Sequence, residues 1–570
     1  MSAPLSPSLQ RNLQALLQVD RALAERICGP VGDQHLREEE DGSLSYRIHR
    51  SWHSLTLTPG QVEEALQPVG DAREVLVIGA GMGELIDPLI AGPKGTLVTV
   101  WDSDPYLLRL LLSRKDYSQS LMTRRLKLSL CADLMLEITT ASAERATVFH
   151  PFLAPVYNNE SRLVVEGLRD QTALVCEGGL FVDDLAQALR AEGLSVVTWP
   201  LTRLSPDELM RLVLTFQPKF VASINYFHGL AEACADANLP LIAWEIDPST
   251  DRLAPTGVGD VAHVFTYRKA NVEVFQKAGF FQTEYLPLAA DIDKRRPLDL
   301  SHTDSEYYGS EVSFVGNSMV AQGQLFKENL CDLYVTWKDK DEASARAEIE
   351  EHLSALLTAQ AQDYTQFHLP EMLEERLPQF VAAMRSEDKT DPVTLVAEMA
   401  AADKRILYVS NLGQVDVKVW GDEGWRHTTE HGARYMGPAG HHDELTKIYA
   451  STGINVDIGR LYQSDIVTMR VFDVLACGGF LLAEYSDALV ELFEPGTHLD
   501  CYRDLSELLE KVEYYLEHKE EAAAIARAGM AAVRERHTIQ LRLQHMLLKT
   551  GLARHASNAN PAGAALPGGR

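Results

Sequence analysis

The chain reads MRVFDVLACGGFLL at positions 469–482, and these residues combine a short helix, a tight turn and an apolar strand. On a helix, Arg470 and Asp473 are three residues apart and share one face. Gly478 and Gly479 then end the helix and let a ligand approach the backbone closely. The stretch predicts an α/β unit that presents a cation and a carboxylate together. The same residues are also typical of a surface ion pair followed by a plain helix cap.

Strands and helices alternate on the N-terminal side of this stretch as well. Residues 172–286 contain apolar strand-like runs separated by helices, and a second series of this kind follows a polar linker at 297–310. The alternation predicts parallel sheets with helices on both faces, and such sheets bind ligands at the carboxyl ends of their strands. We therefore predict two successive Rossmann-like domains that face each other across a cleft.

A further glycine-rich turn lies near the N-terminus. A buried-strand run leads into Gly79, Gly81 and Gly83, and the next strand ends close to Asp102 and Asp104. This is a βαβ unit with glycines at its first turn, and it is a candidate for a second nucleotide site. The predicted fold class is therefore α/β, with an additional Rossmann-like domain before the pair.

Composition limits the function classes. A chain of 570 residues is too long for one core and is expected to form about three or four domains. Lys and Arg number 53 against 81 Asp and Glu, a net charge of -28 that would repel phosphate backbones, so nucleic acid is not an expected partner. The seven cysteines are scattered without a CxxC pair, which is typical of a reducing compartment and of a protein without a zinc site. The start of the chain lacks the pattern of a secretory signal, and we expect a cytoplasmic protein without a membrane span.

The order of the motifs resembles that of the CgeB-like (spore-maturation) glycosyltransferases, a GT-B family. The likeness extends over most of residues 172–545 and includes WEIDP at 244–248, SFVGN at 313–317, VWG at 419–421 and EPG at 494–496. It implies a GT-B fold and the transfer of a sugar, of the hexosyltransferase type, from a nucleotide-diphosphate donor.

The resemblance also implies roles for single residues on the donor side. Asp473 stands where such enzymes have a glutamate that accepts hydrogen bonds from the donor ribose, and Arg470 would neutralise the diphosphate. The Gly316-Asn317 turn would offer backbone N–H groups to a phosphate. Gly478 and Gly479 complete the predicted donor site.

On the acceptor side, His228 and Asp247 follow strands of the first GT-B domain and are the candidate catalytic groups. No DxD-like pair lies in the predicted donor site, so neither a metal nor another cofactor is expected besides the nucleotide sugar. The sequence does not distinguish an inverting from a retaining reaction.

These patterns divide the chain into five predicted parts. They are a helical lead-in at 1–70, a Rossmann-like domain at 71–168, an acceptor domain at 169–300, a donor domain at 310–552 with a helical insertion at 321–402, and a disordered tail at 553–570.

Two other functions stay open. The N-terminal glycine block resembles motif I and the ribose-binding acid of S-adenosylmethionine methyltransferases. The resemblance implies that Asp102 or Asp104 binds the adenosine ribose, that the glycine turn approaches the methionine part, and that the chain is a bifunctional methyl- and glycosyltransferase. With His150 to Tyr157, the block also resembles the N-terminal region of bacterial motility accessory (flagellin-glycosylation) proteins. Because residue 473 is Asp where the resemblance expects Glu, a third function also stays open, that of a non-catalytic GT-B relative that acts as a binding protein. The acceptor, a protein such as flagellin or a surface glycan, is left open, as are the sugar, the nucleobase and the oligomeric state, a homo-oligomer included.

Overall fold

The computed structural model describes residues 6–28, 35–48, 51–92, 95–142, 144–168, 172–201, 204–227, 229–247, 260–338, 341–386, 391–441 and 443–552. The predicted tail at 553–570 lies outside these ranges. The chain divides into two compact units. The first consists of Met1–Trp244, Arg252–His263 and Gly279–Gln282, and the second of Glu245–Asp251, Val264–Ala278 and Thr283–Arg570. Within the described ranges, every helix is too short or too polar to cross a membrane.

The chain begins with two helices, a small sheet and a third helix. These elements are α1 (Pro7–Val19), α2 (Arg21–Cys28), β1 (Leu36–Glu38), β2 (Leu44–Ile48), β3 (Ser51–Ser54) and α3 (Pro59–Leu66). The strands β1 to β3 pair in antiparallel fashion. The prediction of a helical lead-in was wrong for these strands, because each is too short to show an alternating pattern.

The first parallel sheet is built from the glycine block and the segment after it. Its elements are β4 (Glu74–Ile78), α4 (Ile86–Ala91), β5 (Leu97–Asp102), α5 (Pro105–Arg114), α6 (Ser118–Met122), β6 (Leu126–Leu130), α7 (Leu134–Thr139), β7 (Ala146–Phe149) and α8 (Asn158–Glu166). The strand order is β6-β5-β4-β7, and every pairing is parallel. The order reverses between β4 and β7, and such a switch point is where open α/β sheets bind ligands.

The second sheet has the order β13-β12-β11-β10-β8-β9. Its elements are β8 (Thr172–Cys176), α9 (Val182–Ala191), β9 (Ser195–Trp199), α10 (Pro206–Phe216), β10 (Phe220–Ile224), α11 (Leu230–Asp236), β11 (Leu241–Glu245), β12 (Ala262–Thr266), α12 (Lys269–Lys277) and β13 (Gln282–Tyr285). The strands β8 to β11 are wholly buried, because both faces of a parallel sheet are covered.

The third sheet begins after a helix within the predicted linker, α13 (His302–Tyr308). The rest of the chain forms β14 (Val312–Val315), α14 (Val320–Lys338), α15 (Glu342–Gln360), α16 (Leu369–Arg376), α17 (Pro378–Ser386), α18 (Pro392–Asn411), β15 (Val417–Trp420), β16 (Arg434–Gly437), α19 (Glu444–Ser451), β17 (Ile454–Asp457), α20 (Met469–Ala476), β18 (Leu481–Glu484), α21 (Asp487–Leu492), β19 (Asp500–Tyr502), α22 (Leu505–Glu517), α23 (Lys519–Arg536) and α24 (Ile539–Lys549). The order β16-β15-β14-β17-β18-β19 is parallel throughout and places the switch point between β14 and β17.

The helical insertion and the third sheet share one apolar core. Side chains of β14 and β15 pack in the same cluster as Leu330 of α14, Phe380 of α17 and Val396 of α18. The insertion does not end at 402 as predicted, since no glycine or proline interrupts α18 before Gly413. The predicted α/β fold class is confirmed, because the second and third sheets are two successive Rossmann-like sheets and the first is an additional Rossmann-like sheet before them.

Candidate functional site

Arg470 lies at the switch point of the third sheet. It belongs to the first turn of α20, and its Nε donates to the Val315 carbonyl oxygen at the end of β14, at 2.6 Å. Its Nη1 pairs with the carboxylate of Asp457 at the end of β17. The guanidinium therefore bridges the two strands between which the order reverses, where a ligand of such a sheet is expected.

Gly316 lies directly beside this guanidinium. A Cβ atom at Gly316 would lie 2.6 Å from Arg470 Nη2, so a larger residue there would force the guanidinium to move. The ring of Phe314 supports the guanidinium from below, with 4.7 Å between its centroid and the Arg470 Cζ. The next residue, Asn317, accepts a hydrogen bond from the Met319 N–H through its side chain. The predicted Gly316-Asn317 turn thus lies beside Arg470, as expected.

Asp457 is a residue that the sequence analysis missed. Its carboxylate faces Arg470 and accepts a hydrogen bond from Thr468 Oγ1 at 3.3 Å, and the side chain is largely buried. Thr468 is the N-cap of α20, so Asp457 lies at the positive end of this helix. The available signal was a carboxylate in the last position of an apolar strand.

Asp473 is not presented together with Arg470. It is only 4% exposed, and its Oδ2 accepts a hydrogen bond from Arg295 Nε at 3.1 Å. Arg295 also donates to the His441 carbonyl oxygen at 2.7 Å and to Thr446 Oγ1 at 3.2 Å. Because Arg470 extends past the start of α20 while Asp473 lies one turn further on, the two side chains reach different neighbours. The prediction that the two side chains are presented together on a shared face is therefore wrong.

Gly478 and Gly479 have structural roles. Gly478 ends α20 with a φ of 76°, a backbone conformation that favours glycine. A Cβ at Gly479 would lie 2.5 Å from the Tyr449 carbonyl oxygen and 2.8 Å from Asn455 Nδ2. Both residues are at the opposite end of α20 from Arg470, so close packing explains them without a ligand.

A second arginine reaches the same switch point from the insertion. Arg405 of α18 donates from Nη1 to the Asn317 carbonyl oxygen at 2.6 Å and from Nη2 to the Ile458 carbonyl oxygen at 3.2 Å. It thus connects the loops that follow β14 and β17. Burial, and then the nearby guanidinium groups of Arg470 and Arg460, lower the pKa of Arg405 to about 9.

Two further side chains of α18 hold the loop after β17. Lys404 forms a buried ion pair with Glu484, whose other oxygen accepts a hydrogen bond from the Gly459 N–H at 3.0 Å. Glu398 accepts from Arg460 Nη1 at 3.1 Å and from the hydroxyl of Tyr462. A single helix of the insertion therefore sets the conformation of residues 458–462.

Of the two candidate catalytic groups, Asp247 is described and His228 lies outside the described residues. Burial holds the pKa of the Tyr267 hydroxyl above its usual value, and among the surrounding charges Asp247 and Asp465 raise it further while Arg268 and Arg460 lower it. Asp247 and Arg460 therefore lie in the surroundings of the same tyrosine. Arg268 is held by Asp465 at 2.7 Å.

The glycine turn of the first sheet lies under the chain's own side chains. A Cβ at Gly81 would lie 2.5 Å from His150 Nε2, and one at Gly79 would lie 2.8 Å from the Cβ atoms of both His150 and Leu153. A Cβ at Gly83 would lie 2.7 Å from the hydroxyl oxygen of Tyr117. The space beside these glycines is therefore occupied by side chains of the protein itself.

The two aspartates of this predicted second nucleotide site are also engaged. Asp102 is fully buried and accepts hydrogen bonds from the Ala80 N–H and the Tyr157 hydroxyl, both at 2.8 Å. Burial is the main reason why its pKa is raised to about 7. Asp104 caps α5 and accepts a hydrogen bond from the Tyr46 hydroxyl at 2.7 Å. Neither carboxylate is held ready for a ribose.

In the described ranges, the His, Cys, Asp and Glu side chains do not form a group of three or more that could hold a metal ion.

Comparison with known proteins identifies the C-terminal part of the chain. Residues 401–548 match the family described as glycosyl transferase-like. No curated protein matches the chain in sequence.

Among solved structures, HepE of Anabaena in complex with UDP and glucose is similar over 67% of this chain and 99% of its own, at 13% identity and a TM-score of 0.40. A glycosyltransferase from Rickettsia africae covers 68% and 99%, at 10% identity and a TM-score of 0.43. The sucrose-phosphate synthase of Thermosynechococcus elongatus covers 66% and 97%, at 10% identity and a TM-score of 0.38. The prediction of a glycosyltransferase is confirmed by the family match of residues 401–548, the part of the chain that carries Arg405, Asp457 and Arg470.

Proposed function

We propose that this chain transfers a sugar from a nucleoside-diphosphate donor, and that the donor diphosphate binds at the switch point between β14 and β17. The observation that carries this proposal is the position of Arg470, at the start of α20 and between the ends of the two strands. A guanidinium at a helix N-terminus combines a fixed fork of donors with the positive end of a helix dipole, and both favour a diphosphate.

The same arrangement suits the chemistry of glycosyl transfer. When the bond between the sugar and the diphosphate breaks, negative charge grows on the leaving oxygen, and donors already in place stabilise it without reorganisation. Arg470 is held by Val315 and Asp457 and therefore needs little rearrangement. We assign to Asp247 the removal of the proton from the acceptor hydroxyl.

The acceptor in this proposal is a protein such as flagellin or a surface glycan. The resemblance of the N-terminal block to motility accessory proteins supports the protein acceptor. In this view the first sheet organises the acceptor or a partner and does not bind S-adenosylmethionine, because His150 and Leu153 cover its glycine turn.

A non-catalytic binding protein is the second candidate. The observation that favours it is the buried ion pair of Asp473 with Arg295. Because of this pair, the carboxylate expected to bind the donor ribose is not available to the donor. Binding of a nucleotide sugar without release of nucleoside diphosphate, in the presence of a range of acceptors, would support this second function.

The proposal is tested with a thermal-shift panel of UDP-, GDP- and dTDP-sugars and S-adenosylmethionine. A ligand that binds only the folded state stabilises it, by about 2.7 kcal/mol at a hundredfold excess over Kd. We expect a nucleotide sugar to raise the Tm and S-adenosylmethionine to leave it unchanged. If neither a nucleotide nor a nucleotide sugar shifts the Tm, the assignment of the donor site is wrong. If S-adenosylmethionine alone shifts it, the methyltransferase is favoured.

A further inference from the structure

Arg405 is a buried arginine without a carboxylate partner in the hydrogen bonds that its guanidinium makes. It is 7% exposed, and its two hydrogen bonds go to carbonyl oxygens, those of Asn317 and Ile458. Its Nε is buried and has no hydrogen-bond partner. A buried charge of this kind is costly unless an opposite charge compensates it.

The strongest charges that act on Arg405 do not compensate it. They are the cations Arg470 and Arg460 and the carboxylates of Asp457 and Glu398. Both carboxylates are already paired, Asp457 with Arg470 and Glu398 with Arg460. Within this set there are three guanidinium groups and two carboxylates, and the guanidinium without a carboxylate partner is that of Arg405.

The surplus charge lies where an anion is expected. Arg405 donates to the carbonyl oxygens of Asn317, which follows Gly316, and of Ile458, the first residue after β17. These two residues lie on either side of the switch point. An anion between these loops would be attracted by Arg470 through direct contact and by Arg405 from behind the backbone. Its arrival would also compensate the buried guanidinium.

We propose that Arg405 is a positioning residue of the donor site, which holds the loops after β14 and β17 at a fixed separation and supplies the positive charge that a bound diphosphate neutralises. This inference rests on the proposed function. It makes the insertion helix α18 part of the donor site, and it makes charge the property by which the site distinguishes a diphosphate from a monophosphate or a nucleoside.

Arg542 offers a matched control. It is 2% exposed and, like Arg405, donates from its guanidinium to backbone carbonyl oxygens, those of Pro287, Leu288 and Arg536. Burial lowers its pKa to about 10. A purely structural arginine of this kind should affect stability without affecting the choice among nucleotides.

The experiment is calorimetric titration of UDP, GDP and dTDP, with the matching monophosphates and nucleosides, into the full chain and its variants. For Arg405→Met we expect the affinity for the best diphosphate to fall about tenfold, which corresponds to 1.4 kcal/mol, while nucleoside affinity changes about threefold or less. Arg405→Lys keeps the charge, so we expect it to retain more of the preference for the diphosphate. If Arg405→Met does not fold, the nucleotide affinities of Arg405→Lys test the inference instead.

Arg542→Lys should lower the Tm and leave the ratio of diphosphate to nucleoside affinity as in the parent. If the Arg405 variants lower the affinities for the diphosphate and the nucleoside equally, or change neither, the inference is wrong while the proposed function stands. If the parent chain binds none of these nucleotides, both are wrong.

Discussion

The switch points of the first and third sheets are built alike and filled differently. In each, a glycine follows the first strand of the sheet, and the fourth strand along the chain delivers a polar residue beside it. In the first sheet that residue is His150, whose ring lies over Gly81. In the third sheet it is Asp457, which holds Arg470 over Gly316. A glycine turn therefore does not identify a ligand site until the side chain that faces it is known.

The aspartates of the two regions show the same contrast. Asp102 is fully buried, its hydrogen-bond donors are the Ala80 N–H, the Asp104 N–H and the Tyr157 hydroxyl, and its pKa is raised to about 7. Asp457 faces a guanidinium at the start of a helix. The first arrangement stabilises a domain, whereas the second keeps charged groups at the edge of a sheet.

The largest effect is expected at Asp473, the residue that the sequence placed beside Arg470. Asp473→Ala removes one member of a buried pair and leaves Arg295 uncompensated, which typically lowers the free energy of unfolding by about 3–5 kcal/mol. Asp416→Ala, which breaks an exposed pair with Arg434, should cost about 1 kcal/mol or less. Urea unfolding of both variants measures the difference, and equal midpoints would mean that Asp473 is not buried in this pair.

The next effect concerns Arg470 itself. Arg470→Ala should weaken the binding of a nucleoside diphosphate roughly tenfold or more, because a charged hydrogen bond is worth about 1.5–3 kcal/mol. This variant also leaves Asp457 without its partner, so Arg470→Lys, which keeps a cation there, separates binding from stability.

The matched control is Arg434→Ala, which removes an exposed arginine at the start of β16, at the amino edge of the same sheet. We expect calorimetry to give it the affinity of the parent. Unchanged binding in both Arg470 variants, with folding verified by circular dichroism, would show that the diphosphate binds elsewhere.

A smaller, pH-dependent effect distinguishes the first sheet. The pKa of Asp102 is raised above its unfolded value, so its contribution to stability is complete at low pH and is lost as the pH rises through about 7. Glu160 of α8, whose pKa burial raises to about 8, acts in the same direction. His150 and His537, whose pKa values burial lowers to about 4 and about 3, act in the opposite direction, because their imidazoles still bind protons in the unfolded chain near pH 6.5.

Between pH 6 and 8, Asp102 should therefore account for a loss of about 1.4 kcal/mol in the free energy of unfolding, one pKa unit being 1.36 kcal/mol. Asp102→Asn should remove that part of the pH dependence. Unfolding curves of the parent and the variant at several pH values measure it. A variant with the same pH dependence as the parent over this range would contradict the assignment.

The smallest effect is expected on removal of metal ions. Asp102 and Asp104 have DxD-like spacing, but they lie at the covered switch point of the first sheet, and both carboxylates are engaged there. We therefore predict that sugar transfer continues in EDTA. Loss of transfer that manganese restores would show that a metal belongs to the donor site.

The sequence predicted the elements of the fold better than the neighbours of single residues. The strands β8, β10 and β11 lie in the predicted series of strands and helices at 172–286, because long buried runs between helices are strong signals. The position of Arg470 at the edge of a sheet followed from the same signals.

The partners of these residues could not be predicted. Arg405 is 88 residues from Asn317, and Asp473 is 178 residues from Arg295. Pairs so far apart in sequence meet only through packing of whole elements, and a helical period says which side a residue faces but not what lies there. For the same reason the glycine block of the first sheet resembled a nucleotide site although His150 covers it.

The charged side chains of α18 give the insertion a meaning for protein engineering. The helices α14 and α18 pack along each other, and α18 carries Glu398, Lys404 and Arg405. The helices α15 to α17 add buried apolar side chains to the core shared with the sheet. A shortened variant that joins α14 directly to α18 would keep all three anchors of the loop after β17 but would expose this part of the core. A variant cut at 402, the boundary predicted from the sequence, would lose Glu398 and leave Lys404 and Arg405 at a frayed helix end. The insertion could therefore not be exchanged between related chains without moving the loop after β17.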